Sequence, residues 1–578
     1  MNLEATCQRL YATYVVRECH GDSDYFRLIK ELLKYKDQQD PVVDQYRSRV
    51  YQHIEDEIIS NSDMPRSEIS FGTSGWRGVL GKDIFVGSVK SVTNGIVELY
   101  YSLGSSPELA QHLGVSSLEE ARRRGCLVGF DNRFGGDILA QAVCDVLVEH
   151  GFKVYFCGET TTGVLSAALL ELDGAFSVNL TPSHNPLEYG GYKFNAADAG
   201  PAASELTTLI TKFSRQIVSD GVLRTPDAQL RRGELKSIDS FSLWQKMVNS
   251  NEEYHGIDYS QLIEKASAAE HLKIVVDSVH GASRLHIERL FGKASVNVTM
   301  LRGGADVSFG GIAPEPSSVN MVGVGEELRR SDSQLRVGAI IDPDGDRIRF
   351  TDGETEISMN QFGAMAYYFL HEYKGKKGMV AKTVATSNFA NAIAKALGEQ
   401  VFEPRVGFKE FKPVIGKALV LFEESDGISI IGHTPEKDAY VGLLLALDMV
   451  LTTNKNLGDF KRELEDKFGA YYPDRDGIEV VLSGAHLLDA LRGLEKYKAG
   501  RTVLVGDQEK VIKEVISIDG RKMIFEDDSW LMIRPSGTEP KVRFYVESRD
   551  HAGTDHLVVA ARNMLVEVGL IEGDIPAA

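Results

Sequence analysis

The chain has 578 residues, more than one hydrophobic core can serve, so three to five domains are expected. A hydrophobic content of 43% and a charged content of 25% are those of an ordinary globular protein in water. With 64 Lys and Arg against 83 Asp and Glu, the net charge of −19 argues against a nucleic-acid partner but leaves room for a local basic pocket that takes a small anion.

Residues 1–70 read as helices. "YFRLIKELLKYKDQQ" has apolar residues at helical spacing, and "DPVVDQYRSRVYQHIEDEII" opens with Asp40 as N-cap and Pro41 at the first helical position. The N-terminus lacks the basic end and apolar stretch of a signal peptide. All five cysteines lie within the first 160 residues, odd in number and without CxxC spacing, so reduced thiols and a cytoplasmic location are expected rather than disulfides or zinc. "ISFGTSGWRGVLG", with four glycines, reads as a loop where backbone approaches something closely.

Strand-like and helix-like runs then alternate, the mark of βαβ units. Three blocks follow: "GCLVGFD", "FKVYFCG", "AFSVNLT"; then "LKIVVDSV", "VNVTML", "VGAIID"; then "GMVAKTVATS", "EQVFEPRV", "ALVLFEES". The third strand of each runs into a polar turn, "TPSHNP", "DPDGDR" or "EESDG", and sites of open α/β sheets lie beyond such strand ends. "YVGLLLALDMVL" is too short to span a bilayer and carries Asp448, so no membrane role is expected. From Tyr472 the pattern "GIEVVLS", a helix-like run, "VIKEVISIDG", "KMIFEDD", "SWLMIRPSGTEPKVRFYVES" and a closing helix predicts a smaller α+β domain. The expected fold is three related mixed-sheet α/β domains plus that domain around a central cleft. The expected boundaries are 1–235, 236–355, 356–471 and 472–578.

In "DPDGDR", Asp342, Asp344 and Asp346 alternate, and a turn at Gly345 can fold three carboxylates around a hard cation such as Mg²⁺ or Ca²⁺. An EF-hand is ruled out by Arg347 at position six and Gly353 at position twelve. "RPSGTEPKVRFYVE" offers Arg534, Ser536, Gly537, Thr538, Lys541 and Arg543, the charged forks, hydroxyls and N–H groups that grip a phosphate; a plain hairpin turn is the competing reading. In "LFEESDGIS", Glu423 and Ser425 share a side and suit sugar hydroxyls, although a solvated acidic turn has the same composition. Ser183 sits between two prolines on a stiff turn, without a GxSxG elbow and with adjacent His184 diverging, so hydrolase chemistry is disfavoured. Near a carboxylate-held cation and a phosphate grip, its hydroxyl makes sense as a carrier of a phosphoryl group.

These four loops, in this order from "FGTSGWRG" to "RPSGTEPKVRFYVE", resemble the α-D-phosphohexomutase family. The resemblance implies a four-domain phosphoserine isomerase that needs Mg²⁺, is primed by a hexose bisphosphate such as glucose 1,6-bisphosphate, and acts on a phosphosugar. By position it implies Ser183 as phosphoserine and metal ligand beside His184, with Asp342, Asp344 and Asp346 as the other ligands. Arg77 and Arg347 stand near the transferring phosphate, and Lys193 in "YGGYKFN" handles the proton if burial depresses its pKa. Lys409 in "VGFKEF" helps hold the substrate, Glu423 and Ser425 contact the sugar, and Arg534, Ser536, Gly537, Thr538 and Arg543 grip the phosphate that is not transferred. The "EESxG" form resembles glucose-preferring branches more than "GEMSGH" ones, so conversion between glucose 1-phosphate and glucose 6-phosphate is expected. Mannose phosphate or dual specificity, a metal-dependent phosphatase, and a catalytically silent scaffold are the alternatives. The long helical segment before Phe71 has no role that the sequence assigns.

Overall fold

The computed structural model describes residues 3–38, 40–72, 75–226, 229–482, 484–535 and 541–572. Three helices come first: α1 (Leu3–Tyr14), α2 (Tyr25–Leu33) and α3 (Pro41–Ser60). The start of α3 follows the expected capping chemistry. The Asp40 carboxylate accepts from the Val42 N–H at 2.9 Å, and Pro41 occupies a position whose N–H would have no helical partner. The helices bury Leu28, Ile29, Leu32, Val50, Ile54 and Ile58 in the same core as the first sheet.

That sheet contains β1 (Trp76–Val79), β2 (Cys126–Phe130), β3 (Val154–Glu159), β4 (Phe176–Leu180), β5 (Tyr189–Ala196) and β6 (Leu235–Ser237), in the order β1-β5-β4-β2-β3-β6. The second contains β7 (Leu272–Asp277), β8 (Val298–Leu301), β9 (Leu335–Ile341), β10 (Ile348–Thr351) and β11 (Glu356–Ile357), ordered β11-β10-β9-β7-β8. The third contains β12 (Val380–Lys382), β13 (Val401–Phe402), β14 (Val420–Glu423) and β15 (Gly427–Ile430), ordered β13-β12-β14-β15. One plan repeats in all three. Three parallel strands are followed by a fourth that turns back antiparallel on the third, giving the pairs β4–β5, β9–β10 and β14–β15. The three polar turns singled out in the sequence are the loops that close these pairs.

The fourth sheet is wholly antiparallel: β16 (Tyr472–Glu479), β17 (Thr502–Val505), β18 (Gln508–Ile516), β19 (Arg521–Phe525), β20 (Trp530–Pro535) and β21 (Lys541–Ser548), ordered β16-β21-β20-β19-β18-β17. The helix His551–Glu567 packs on one face of it. The second and third domains share a core through the helix Ala439–Thr453, whose apolar residues are buried on all sides against β9 and β15. Among the described residues no helix is long and apolar enough to cross a membrane.

Two elements differ from expectation. The glycine-rich stretch expected as a loop contains β1, which pairs antiparallel with β5. The expected close approach is real but lies at that strand: Gly75 has φ +106°, and a Cβ there would stand 2.4 Å from the Tyr192 carbonyl. In the last domain the first strand begins at Tyr472, before "GIEVVLS", and the hairpin strand β17 precedes the expected "VIKEVISIDG" strand.

Candidate active site

Ser183 follows β4 with φ +59°, in the left-handed region that a serine occupies at a cost, and is 1% exposed. Its N–H donates to Thr181 Oγ1 at 2.8 Å. Its hydroxyl crosses to the second domain, donating to Asp342 Oδ2 at 2.8 Å with Asp346 Oδ1 at 3.3 Å.

The aspartate turn is shaped by its own side chains. Gly345, with φ +65°, donates its N–H to the Asp342 carbonyl, while the N–H groups of Asp346 and Arg347 both donate to Asp342 Oδ1 at 3.0 Å. One carboxylate oxygen from each of Asp342, Asp344 and Asp346 lies within 4.8 Å of the others, and all three residues are buried. Thr162, at the start of the helix Thr162–Glu171 in the first domain, braces Asp344 with its hydroxyl at 2.7 Å and its N–H on the carbonyl at 2.8 Å. Asp344 Oδ1 is buried with no hydrogen-bond partner among the described residues. Three clustered carboxylates, one with a spare oxygen, fit a hard divalent cation of the Mg²⁺ kind. Burial and the carboxylates of Asp344 and Asp346 push Asp342 well up, whereas Asp346, despite burial, is held well below the usual carboxylate range by Lys193, Lys437 and Arg347.

Lys193 lies on β5, and its Nζ donates to Asp344 Oδ2 at 2.6 Å and Asp346 Oδ2 at 2.9 Å. The expectation that burial would depress its pKa is corrected here. Burial does push that way, but Asp344, Asp346 and Glu436 outweigh it and raise the pKa, so the side chain is an ammonium. Arg77, on β1, donates to Asn185 Oδ1 at 2.8 Å and is pushed down to about 10 by burial and by Arg347. The Arg347 Nε stands 3.7 Å from Asp346 Oδ1. His184 is held well below its usual pKa by burial and by the guanidinium groups of Arg347 and Arg77, so its imidazole is neutral, with Nδ1 buried and unpaired among the described residues.

Glu423, at the end of β14, faces Lys437 at 3.3 Å, and Lys437 is also 3.3 Å from Asp346. The loop after β14 therefore reaches the aspartate turn through Lys437, a residue missed in the sequence because "HTPEKDA" reads as a charged surface run. Its burial is the missing information. Glu424 turns the other way, accepting from Thr383 Oγ1 at 2.7 Å and Thr386 Oγ1 at 3.2 Å, and half-buried Ser425 follows it. Lys409 is directed elsewhere, with Nζ donating to Ser204 Oγ in the first domain at 2.8 Å. In the last domain Arg534 and Arg543 are direct cross-strand partners on β20 and β21, a like-charge juxtaposition that suits an anion between them. Arg534 is also paired with Asp519 at 3.1 Å, and against burial, which lowers its pKa, Tyr545 and Asp519 raise it. Ser536, Gly537 and Thr538 lie outside the described residues.

Four sequence profiles match the chain, described as "Phosphoglucomutase/phosphomannomutase" alpha/beta/alpha domains I, II and III and C-terminal domain, over residues 68–219, 256–355, 358–468 and 490–564. A "Probable phosphoglucosamine mutase" of Methanobrevibacter smithii is 27% identical over 83% of this chain and 94% of its own length. "Phosphoglucomutase-1" of Homo sapiens is 25% identical over 75% of this chain and 85% of its own. A crystal structure of a Burkholderia thailandensis phosphoglucomutase/phosphomannomutase family protein, 18% identical, shares the fold with a TM-score of 0.66 over 86% of this chain and 97% of that one.

Proposed function

Because the chain belongs to the phosphoglucomutase/phosphomannomutase family, a family of isomerases that move a phosphoryl group within one sugar, we propose that it interconverts glucose 1-phosphate and glucose 6-phosphate with Ser183 as the phosphoryl carrier. The observation that carries this reading is the buried Ser183 hydroxyl, held on Asp342 of another domain at 2.8 Å, in an aspartate turn whose Asp346 also meets Lys193, Arg347 and Lys437.

Phospho-Ser183 gives its phosphoryl group to the free hydroxyl of the bound hexose phosphate. The Ser183 Oγ–P bond breaks, a bond from phosphorus to the sugar oxygen forms, and a hexose 1,6-bisphosphate results. Lys193 shares Asp346 with the Ser183 hydroxyl, so its ammonium is placed to give a proton to the departing Oγ and to recover the one that the sugar hydroxyl releases. Arg77, Arg347 and Lys437 offset the negative charge of the moving group. Asp342, Asp344 and Asp346 are the residues that would hold Mg²⁺, which supplies further charge neutralisation at the transferring phosphate. After the bisphosphate turns over, its other phosphoryl group returns to Ser183 with the same atoms in reversed roles. Arg534 and Arg543 grip whichever phosphate is not moving, and glucose 1,6-bisphosphate serves as the activator that loads the serine.

Glucose is the proposed sugar because Glu423 and Ser425 stand in an "EESxG" loop with Lys437 behind Glu423. Five free thiols suit a reducing compartment, so the cytoplasm is the proposed location. The test is a coupled comparison of glucose, mannose and glucosamine 1-phosphates, each with Mg²⁺ and the matching bisphosphate. The highest kcat/KM is expected with glucose 1-phosphate. A tenfold preference for either other sugar would replace the substrate assignment, and release of free phosphate in place of isomer would replace the reaction.

A further inference from the structure

Arg133 lies almost wholly buried in the segment after β2, directly beneath the Ser183 loop. Its guanidinium donates to three main-chain carbonyls of that loop, Asn185 at 2.6 Å, Ser183 at 2.7 Å and Pro186 at 2.8 Å, and to a fourth at the start of β5, Tyr189 at 3.2 Å. Asp131 stands 3.4 Å from Arg133 Nε and accepts from Thr181 Oγ1 at 2.6 Å, and Thr181 Oγ1 in turn accepts the Ser183 N–H. Both peptide groups of Ser183 are therefore tied to the 131–133 segment. A non-glycine residue keeps a left-handed conformation only where its surroundings over-determine it, and this fork does so.

The fork is itself held from outside. The Arg133 guanidinium lies 4.8 Å from the ring centroid of Phe309, in the turn Phe309–Gly311 of the second domain. Lys36, just after α2, donates to the Gly310 carbonyl at 2.8 Å, and the Leu33 side chain fills the space beside Gly311. On the neighbouring side the Phe134 ring packs edge-on against Phe26 of α2 and Tyr51 of α3, with centroids 5.8 and 5.0 Å away. Lys30 of α2 pairs with Glu188, in the Ser183 loop itself, at 2.7 Å. These helices precede residue 68, where the first family domain begins.

We propose that Arg133 is a positioning residue that fixes the Ser183 backbone for phosphoryl transfer, and that α2 and α3 hold Arg133 and Phe309 in register across the junction of the first two domains. The proposal rests on the reading of Ser183 as phosphoryl carrier. A lysine at 133 keeps the charge but has no planar fork to span four carbonyls.

The test uses the full chain with Arg133→Lys, Phe309→Leu, and, as the α2 pair, Leu33→Ala at the end of α2 with Lys36→Met just after it, read by hydrogen exchange over residues 181–189 and by steady-state kinetics. For Arg133→Lys, exchange over 181–189 should rise about tenfold or more and kcat should fall about 100-fold, with KM within about threefold, because displaced reacting groups lose the transition state before they lose binding. Phe309→Leu and the α2 pair should move both readouts the same way by less, and they decide the matter if Arg133→Lys does not fold. Unchanged exchange over 181–189, or a raised KM with kcat kept, would overturn the positioning role. Absence of mutase turnover in the unaltered chain would instead remove the functional reading, and exchange would still decide whether the fork holds the loop.

Discussion

The junction between the first and second domains and the junction between the third and fourth are built from different material. The first is ionic and buried: Ser183 on Asp342, Lys193 on Asp344 and Asp346, Thr162 on Asp344, and Arg284 paired with Glu159. The second centres on a small apolar patch, Val384 and Ala385 against Trp530, Met532 and Tyr545, with an ion pair at its edge, Lys522 to Glu403 at 3.3 Å. Lys522 donates to the Val384 carbonyl at 2.8 Å, the Asn388 N–H donates to Glu547 at 2.9 Å, and the Val406 N–H donates to Asp519 at 3.0 Å. Buried charge is costly unless its partners are in place, so the first junction is useful only when assembled, and its bonds are the site itself. The second stands behind the Arg534–Arg543 strand pair and sets where that pair sits. Changes at one should therefore strike chemistry, and changes at the other should strike binding.

The widest gap should come from Ser183→Ala, which removes the proposed carrier. Isomerase turnover should fall by at least about 10⁴-fold while the circular dichroism spectrum is kept, and residual activity within about tenfold of the parent would sink the carrier role. A smaller effect, of the other kind, is expected from Lys522→Met, which loses the ammonium over the Trp530 ring, its bond to the Val384 carbonyl and its ion pair with Glu403. KM for the phosphosugar should rise about three- to tenfold with kcat within about twofold, since only positioning of the distal grip is altered. A fall in kcat at constant KM would erase the distinction between the two junctions. The smallest effect is on acid stability. Glu403, despite burial, is held down to about 2 by Lys382 and Lys522. Between pH 4.5 and 2 the unfolded chain binds a proton there that the folded chain does not, so this contribution is whole above pH 4.5 and is lost as pH falls. In Glu403→Gln the loss of urea stability from pH 5 to pH 3 should be shallower than in the parent. An equal slope would show that the two lysines do not hold this carboxylate down in the folded chain.

The three sheets were legible because each has an apolar strand ending in an acidic or hydroxylated turn, a contrast that local sequence carries. Their returning strands were not. "YGGYKFNA" mixes glycines with polar residues because its neighbours leave no space: a Cβ at Gly191 would lie 2.3 Å from the Thr181 carbonyl. The same crowding made β1 read as a loop. Ser183 and the three aspartates could be named from the chain, since spacing and turn chemistry select them. The protonation of Lys193 could not, because the carboxylates that reverse the effect of burial come from a different domain. Lys437 and Arg133 were passed over for a related reason: a cation in a polar run has the composition of surface, and only tertiary packing shows it enclosed. Lys409 shows the converse, a cation in a motif whose side chain ends on Ser204.

The left-handed backbone of Ser183 has a practical consequence for anyone wishing to catch the sugar in place. Alanine at this position would keep the roughly 1 kcal/mol penalty of that conformation, whereas glycine adopts it freely. Ser183→Gly should thus lack the proposed carrier while its loop holds its shape, which suits it to cocrystallisation with a hexose bisphosphate between the two proposed phosphate sites.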